Sequence, residues 1–415
     1  MSFDPCSFLY DAATTRNAET FEHSIAGRPV IIVQSMAGAG YVLRSNSENY
    51  HKELWPFRQV MGATRLTESS ADWRRMEAVT QSYLAGFDAD RLAAAANEHA
   101  SDLADRLLQT EDRGRLDQFA IDIATIRVLA ETLLDGRLSD QAGEFAADMH
   151  VMLDYAASYA FIARDSRPDI DRDTIRNLAK ARHRMMTRLS AVRSDLPAGD
   201  NLLTALDGAD RSGDAGVMFQ HELMMLFAAG SDTSAAAVGW CCQGLAENQA
   251  VQSAIRQELS GLERRQLCDP SVLNRLPWLN GFIEETLRLF PPIPFLGRQA
   301  QSADTINGHP VQRDQLVFVS IVGIHRDAGS WLNADQFSAE RHGIAGSRAA
   351  RAIPFSTGPR ICGGARFAML ELKAVMATLI SKLRFEPSGL DPGPFQWRIS
   401  MRRRLDHPVT VKPAR

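Results

Sequence analysis

The sequence predicts a mainly α protein with a smaller β region, and three observations carry that reading. Ala-, Leu- and Arg-rich segments with helical spacing fill residues 71 to 190, a roughly thirty-residue stretch from Met218 to Gln249 is apolar nearly all round, and β-rich runs are short and scattered. No internal repeat, low-complexity linker or block of like charge divides the chain, which therefore reads as one domain over residues 1–415.

In chain order, residues from about 15 to 60 mix β-branched runs such as "PVIIVQ" with turn residues, a small sheet placed ahead of a helical body. Helical spacing takes over at about residue 71. Met218 to Gln249 has no polar face wide enough to meet water, so this helix is expected to run through the protein's centre. "SAIRQELSGL" and "LNGFIEETLRL" continue the helical pattern, the second stopped by Pro291 and Pro292, which lack the N–H a helix needs. "QLVFVSIVGI" reads as a strand, a Gly- and Asn-rich stretch meanders after it, and a last helix spans about Gly364 to Leu383.

Composition narrows the class of function. At 45% hydrophobic content, 415 residues supply a sizeable core, and a net charge of −4 argues against a chain that coats nucleic acid or an anionic membrane. The N-terminal residues hold no basic stretch followed by a long apolar run, and "RPVIIVQS" is too short to span a bilayer, so the expected location is the cytoplasm. Five cysteines form no C-x-x-C pair, which suggests neither a disulfide framework nor a zinc site. "GIHRDAGSWLN" contains H-R-D but not the Asn five residues on that a kinase loop requires.

The chemistry-bearing stretch is "FSTGPRICGGARFAMLEL". Gly358, Gly363 and Gly364 allow tight turns and close backbone approach, and a helical pattern starts just after Cys362. Cys362 is thus expected at a helix N-terminus, where free N–H groups and the dipole favour a thiolate that can act as nucleophile, redox thiol or metal ligand. In "EETLRLFPPIP", Glu285 and Arg288 are spaced to meet on one helix face. In "AAGSDTS", Ala229 and Gly230 precede Asp232 and Thr233, and the Thr233 hydroxyl can bond back to a carbonyl one turn earlier and open a groove in the helix.

Phe355-x-x-Gly358-x-Arg360-x-Cys362-x-Gly364-x-x-x-Ala368 resembles the haem-binding loop of the cytochrome P450 family, the haem-thiolate monooxygenases. The resemblance implies the family's fold, with haem b between the long central helix and the cysteine loop before the last long helix. It implies Cys362 as the iron ligand, Phe355 packed near the sulfur, and Arg360, Arg298 and Trp73 toward the haem propionates, with Gly364 and Ala229 close against the haem. Glu285 and Arg288 resemble the family's E-x-x-R, completed by Arg341 in "FSAERH", although Ala339 and His342 stand where the family often has Pro and Phe. "AAGSDTS" resembles the oxygen-activation segment, with Asp232 and Thr233 as acid–alcohol pair, while Glu77 stands where relatives commonly have an Arg.

In function, the resemblance implies a monooxygenase that oxidises a lipophilic small molecule (terpenoid, steroid or fatty-acyl-like) with O2. Because one such domain uses the whole sequence, electrons are expected from a separate ferredoxin and its reductase, docking on Arg74, Arg75, Arg348, Arg351 and Arg366. A peroxide-driven peroxygenase and a haem sensor or electron carrier stay open as rivals. Helical and strand spacing place Met225, Ala229, Pro294 and Leu296 on the substrate pocket, and the resemblance brings Met401 over it on a hairpin tip. Whether Trp55, Phe57 or the segment 149–161 also line it is left open.

Overall fold

The computed structural model of the chain describes residues 4–414 apart from 17, 111–113, 162–170, 214–215 and 345–350. In chain order its helices are α1 (Pro5–Thr15), α2 (Met36–Gly40), α3 (Trp55–Met61), α4 (Ser70–Ala85), α5 (Ala89–Gln109), α6 (Gln118–Leu134), α7 (Ala142–Tyr159) and α8 (Arg172–Ser194). There follow α9 (Leu202–Ser212), α10 (Phe219–Glu247), α11 (Gln249–Leu259), α12 (Pro270–Leu273), α13 (Pro277–Leu289), α14 (Ile321–Ile324) and α15 (Ala365–Lys382).

The strands are β1 (Thr20–Ile25), β2 (Arg28–Val33), β3 (Tyr50–His51), β4 (Phe295–Ala300), β5 (Asp304–Ile306), β6 (His309–Val311) and β7 (Leu316–Ser320). Near the C-terminus come β8 (Leu383–Pro387), β9 (Phe395–Trp397), β10 (Met401–Arg403) and β11 (Val409–Pro413). One five-stranded sheet has the order β1-β2-β7-β4-β3, with β2 and β7 parallel, so the N-terminal hairpin is completed by strands from the second half of the chain. The pairs β5–β6, β8–β11 and β9–β10 are separate antiparallel hairpins or ribbons.

Local chemistry explains the boundaries. Asp88 and Asp117 cap α5 and α6 by accepting from the N–H groups of Arg91 and Ala120 at 3.0 and 2.9 Å, which satisfies donors the helix cannot. A reciprocal Asn201–Thr204 capping box starts α9. The central apolar pattern is α10, 29 residues and roughly 44 Å long at 1.5 Å per residue, with most of its side chains buried. It packs against α6, α8, α13 and α15.

One expectation fails: "QLVFVSIVGI" is a strand only to Ser320. The Ser320 Oγ accepts from Gly323 N–H at 3.0 Å and caps a short helix, α14, so the apolar run changes secondary structure within itself. No helix among the described residues is long and apolar enough to cross a membrane.

Candidate functional site

The loop Ile353–Gly364 lines one cavity with α10 and presents Cys362 just before α15, whose N-cap is Gly364. Three backbone bonds shape it: Ser356 N–H to Ile353 O, Ile361 N–H to Gly358 O, and Cys362 N–H to Phe355 O at 3.0 Å. At Gly358 φ is +80°, and a Cβ would stand 2.0 Å from the Leu43 carbonyl oxygen, so only glycine fits there.

Cys362 opens onto a cavity of about 380 Å³. Cys6, Cys241 and Cys242 are buried in apolar clusters and Cys268 lies outside the cavity wall, which leaves Cys362 as the one cavity cysteine. Enclosure by protein pushes its thiol up, against the pull of the Gly364 N–H, Lys52 and Arg65.

Above the cysteine, α10 lines the cavity with Met225, Leu226, Ala229, Gly230, Thr233 and Ser234. Thr233 Oγ1 donates to Ala229 O at 2.7 Å, the back-bond expected from sequence. Asp232 departs from expectation. A step of about 100° along the helix turns it off the cavity, and its buried carboxylate is held by Arg402 Nη2 at 2.6 Å and Ser400 Oγ at 2.5 Å. Arg402 also holds Asp122, which in turn meets His150 Nε2 at 2.9 Å.

Sequence reading missed Glu371. Its Oε2 lies 2.5 Å from the Ser234 Oγ, its other oxygen has no partner among the described residues, and burial pushes the carboxyl up to about 8. A charged residue inside the apolar run "MLELKAVMATLI" was the available signal.

One side of the cavity is rimmed by cations. Arg298 is buried, donates among the described residues only to Gly297 O, and is pushed down to about 10 by burial. Arg360 donates to the Arg65 and Glu68 carbonyls, lies 4.5 Å over the Trp73 ring, and is lowered to about 9 by burial and then by Arg298 and Arg65. Lys52 is driven well below its usual range by burial, Arg360, Arg298 and Arg65. Among the described residues no carboxylate lies within ion-pair distance of Lys52, Arg65, Arg298 or Arg360. Lys52 and Arg65 escaped sequence reading because they sit on irregular backbone with no periodicity to flag them. Arg65 reaches Thr80 and Gln81 on α4 and so stands close to Glu77, bringing a cation to the side where the resemblance lacked one.

Behind the cysteine loop lies a second cluster. Glu285 accepts from Arg288 at 2.8 Å, from Arg341 Nε at 3.0 Å and from Ser338 N–H at 3.0 Å, uniting the three residues read from sequence. His342 joins them, with Nε2 2.7 Å from Glu285 and Nδ1 3.2 Å from Glu284. Burial alone would raise the Glu285 carboxyl, but Arg288 and His342 hold it at about 2. The cluster reaches the loop through fully buried His325, whose Nδ1 meets Arg288 O at 2.9 Å while Nε2 accepts from Ile353 N–H at 2.8 Å. Burial holds His325 down at about 3 and thus neutral.

Two pocket assignments are corrected. Met401 does not line the cavity: the β9–β10 hairpin turns at Arg398–Ser400, so Ile399 and Trp397 face inward while Met401 packs beneath against Cys6 and Trp240. Pro294 is also absent from the lining, because the chain is not yet in regular strand there and its carbonyl is taken by the Ile321 and Val322 N–H groups; Leu296 does line it. Trp55, Phe57 and Phe161 are cavity residues. Of the expected docking arginines, Arg74 pairs with Glu48 at 2.6 Å, Arg75 pairs with Asp72, Arg366 lies 6.0 Å over Phe87, Arg351 is exposed, and Arg348 lies outside the described residues.

Fold and site together define a class: a helical protein with one cysteine beneath a deep cavity, opposite an opened helix groove and beside uncompensated cations. Residues 10–405 match the family Cytochrome P450, and the chain belongs to it. The family implies a haem-iron cofactor, and the donor set fits one: a lone cysteine for the iron and, for acidic side groups, cations with no carboxylate within ion-pair distance among the described residues.

The chain is 32% identical over 199 residues to cytochrome P450 4d8 of Drosophila melanogaster, covering 45% of this chain and 42% of that protein. It is 32% identical over 192 residues to the taurochenodeoxycholic 6 alpha-hydroxylase of Sus scrofa, covering 45% and 36%. The matches thus span less than half the length of these curated relatives. A solved zebra fish cytochrome P450 with abiraterone has the same fold, with a TM-score of 0.79 at 18% identity, covering 99% of this chain and 100% of that one.

Proposed function

We propose that residues 1–415 form one domain, a haem-thiolate monooxygenase that inserts one atom of O2 into a lipophilic small molecule while the other leaves as water. The haem would be of the b type, with Cys362 on the iron and Arg298, Arg360, Arg65, Lys52 and Trp73 toward its propionates. One juxtaposition carries the reading: a single cavity cysteine of five, rimmed by unpaired cations and roofed by the Thr233 segment of α10.

When bound, haem iron supplies the binding and reductive activation of oxygen. The chain's residues hold and enclose. Phe355 O fixes the Cys362 backbone, and Thr233 sets a hydroxyl along an otherwise apolar groove, where protons can pass. Ser234 and the protonated Glu371 extend that polar edge. Met225, Ala229, Leu296 and Ile399 keep water out and orient the substrate by shape. Electrons would come from a ferredoxin and its reductase in the cytoplasm, drawn by the exposed arginines near α4 and α15.

The reduced protein with carbon monoxide should show the red-shifted band of thiolate ligation, and Cys362→Ala should lose it. Retention of that band in Cys362→Ala overturns the reading. A second reading, a peroxide-driven reaction, is favoured by the Asp232–Arg402 pair, which keeps the acid off the groove. Product formed with peroxide alone, and none with reductant and O2, would select it.

A further inference from the structure

Five cations line the cavity, and four of them, Lys52, Arg65, Arg298 and Arg360, crowd the cysteine side. The fifth, Arg28, stands apart. It opens β2, where Val30 and Ile32 turn their side chains to the cluster of Phe295, Leu316 and Phe318, and strand alternation puts Arg28 on that same face. Its partner across the hairpin, Ile25, lies in the cluster too. Arg28 is half-buried, is not among the charges that shift Lys52, Arg298 or Arg360, and has no ion-pair or hydrogen-bond partner among the described residues.

The wall it shares is aromatic and continuous. Phe295 stacks on Phe318 at 4.7 Å, Trp397 lies 5.5 Å from Phe295, and Phe161 lies 5.2 Å from Trp397. The other charged groups near this wall are engaged: Arg398 holds Asp154 at 2.6 Å, and Glu53 has a partner of its own. A cation with no counter-charge at the edge of an apolar cavity is a natural partner for an anion entering that cavity.

We propose that Arg28 receives the anionic end of the substrate, which is a lipophilic carboxylate whose apolar body lies along the Phe318–Phe295–Trp397 wall and whose far end reaches the cysteine side. This rests on the monooxygenase reading and names its substrate class. Oxidation then falls on carbons remote from the acid group, because the acid is anchored on the sheet.

Calorimetric titration of the haem-loaded full chain with tetradecanoic acid and with tetradecan-1-ol tests the assignment. The acid should bind at least tenfold more tightly than the alcohol. Arg28→Gln should abolish that preference while leaving alcohol affinity within twofold, and Arg28→Lys should keep most of it. Equal binding of acid and alcohol to the wild type, or an equal loss of both in Arg28→Gln, overturns the proposal. An acid preference that Arg28→Gln removes upholds it even if the carbon monoxide spectrum defeats the monooxygenase reading. An intact spectrum with no acid preference leaves that reading standing and removes Arg28.

Discussion

Two charge clusters flank Cys362, and they are built in opposite ways. Behind the loop, Glu285 is surrounded by Arg288, Arg341 and His342, so every buried charge has a counter-charge within about one hydrogen bond. On the cavity side, Lys52 and Arg360 are lowered by burial and by their neighbouring cations, and among the described residues no carboxylate stands within ion-pair distance of Lys52, Arg65, Arg298 or Arg360. The first cluster completes itself within the chain and belongs to the fold. The second is complete only with an external anion, which is the physical mark of a binding site.

The largest break of this contrast is Glu285→Ala. It strands two arginines and an imidazolium at a cost of roughly 3–5 kcal/mol, so melting temperature and haem content should both collapse. Normal values for both would reduce the cluster to decoration.

Arg298→Met should do the reverse in the two forms of the protein. Without haem it removes an uncompensated buried cation, so the melting temperature should hold or rise. With haem it deletes a charge-assisted bond, and retention should weaken by about 1.5–3 kcal/mol, read as faster haem transfer to apomyoglobin. Loss of stability in the haem-free form would show that Arg298 is structural.

His342→Phe sharpens the first cluster. Both ring nitrogens face carboxylates, so both must donate and the ring is an imidazolium. Burial lowers its pKa, but Glu284 and Glu285 raise it above the ordinary 6.5. The stability it contributes, about 1–2 kcal/mol, is full below pH 6.5 and lost as pH rises through the elevated value. Wild type and His342→Phe should therefore differ most at pH 6 and converge in alkali; a constant gap in the melting curves would refute the charged ring.

The smallest effect is expected at the surface. Reversing Arg74 and Arg75 should slow reduction by a ferredoxin at low salt, an effect that fades as salt screens it and that the ion pairs with Glu48 and Asp72 already blunt. Unchanged reduction rates at low ionic strength would take both residues out of the docking surface.

Sequence made legible whatever depends on short-range order. The Cys362 loop, the Glu285–Arg288 spacing and the Thr233 back-bond are set by residues within a turn or two, and each stands where its pattern indicates. Long-range partners were not legible. Lys52 and Arg65 are brought in by irregular backbone, Asp232 is claimed by Arg402 from the far C-terminal hairpin, and Met401 misses the cavity because the hairpin turns two residues earlier. His342 reads as a mismatch to the family pattern, yet a cation there answers Glu284 as well as Glu285.

The contact between Gly358 and the Leu43 carbonyl, with no room for a single methyl group, joins two distant segments of the sequence at the cysteine loop. Leu43 and Gly358 are far apart in sequence, so the final shape of the loop waits on a long-range closure that local helix formation cannot supply. A chain truncated before Cys362 would lack the cysteine that the proposed haem site requires, however well its earlier helices pack.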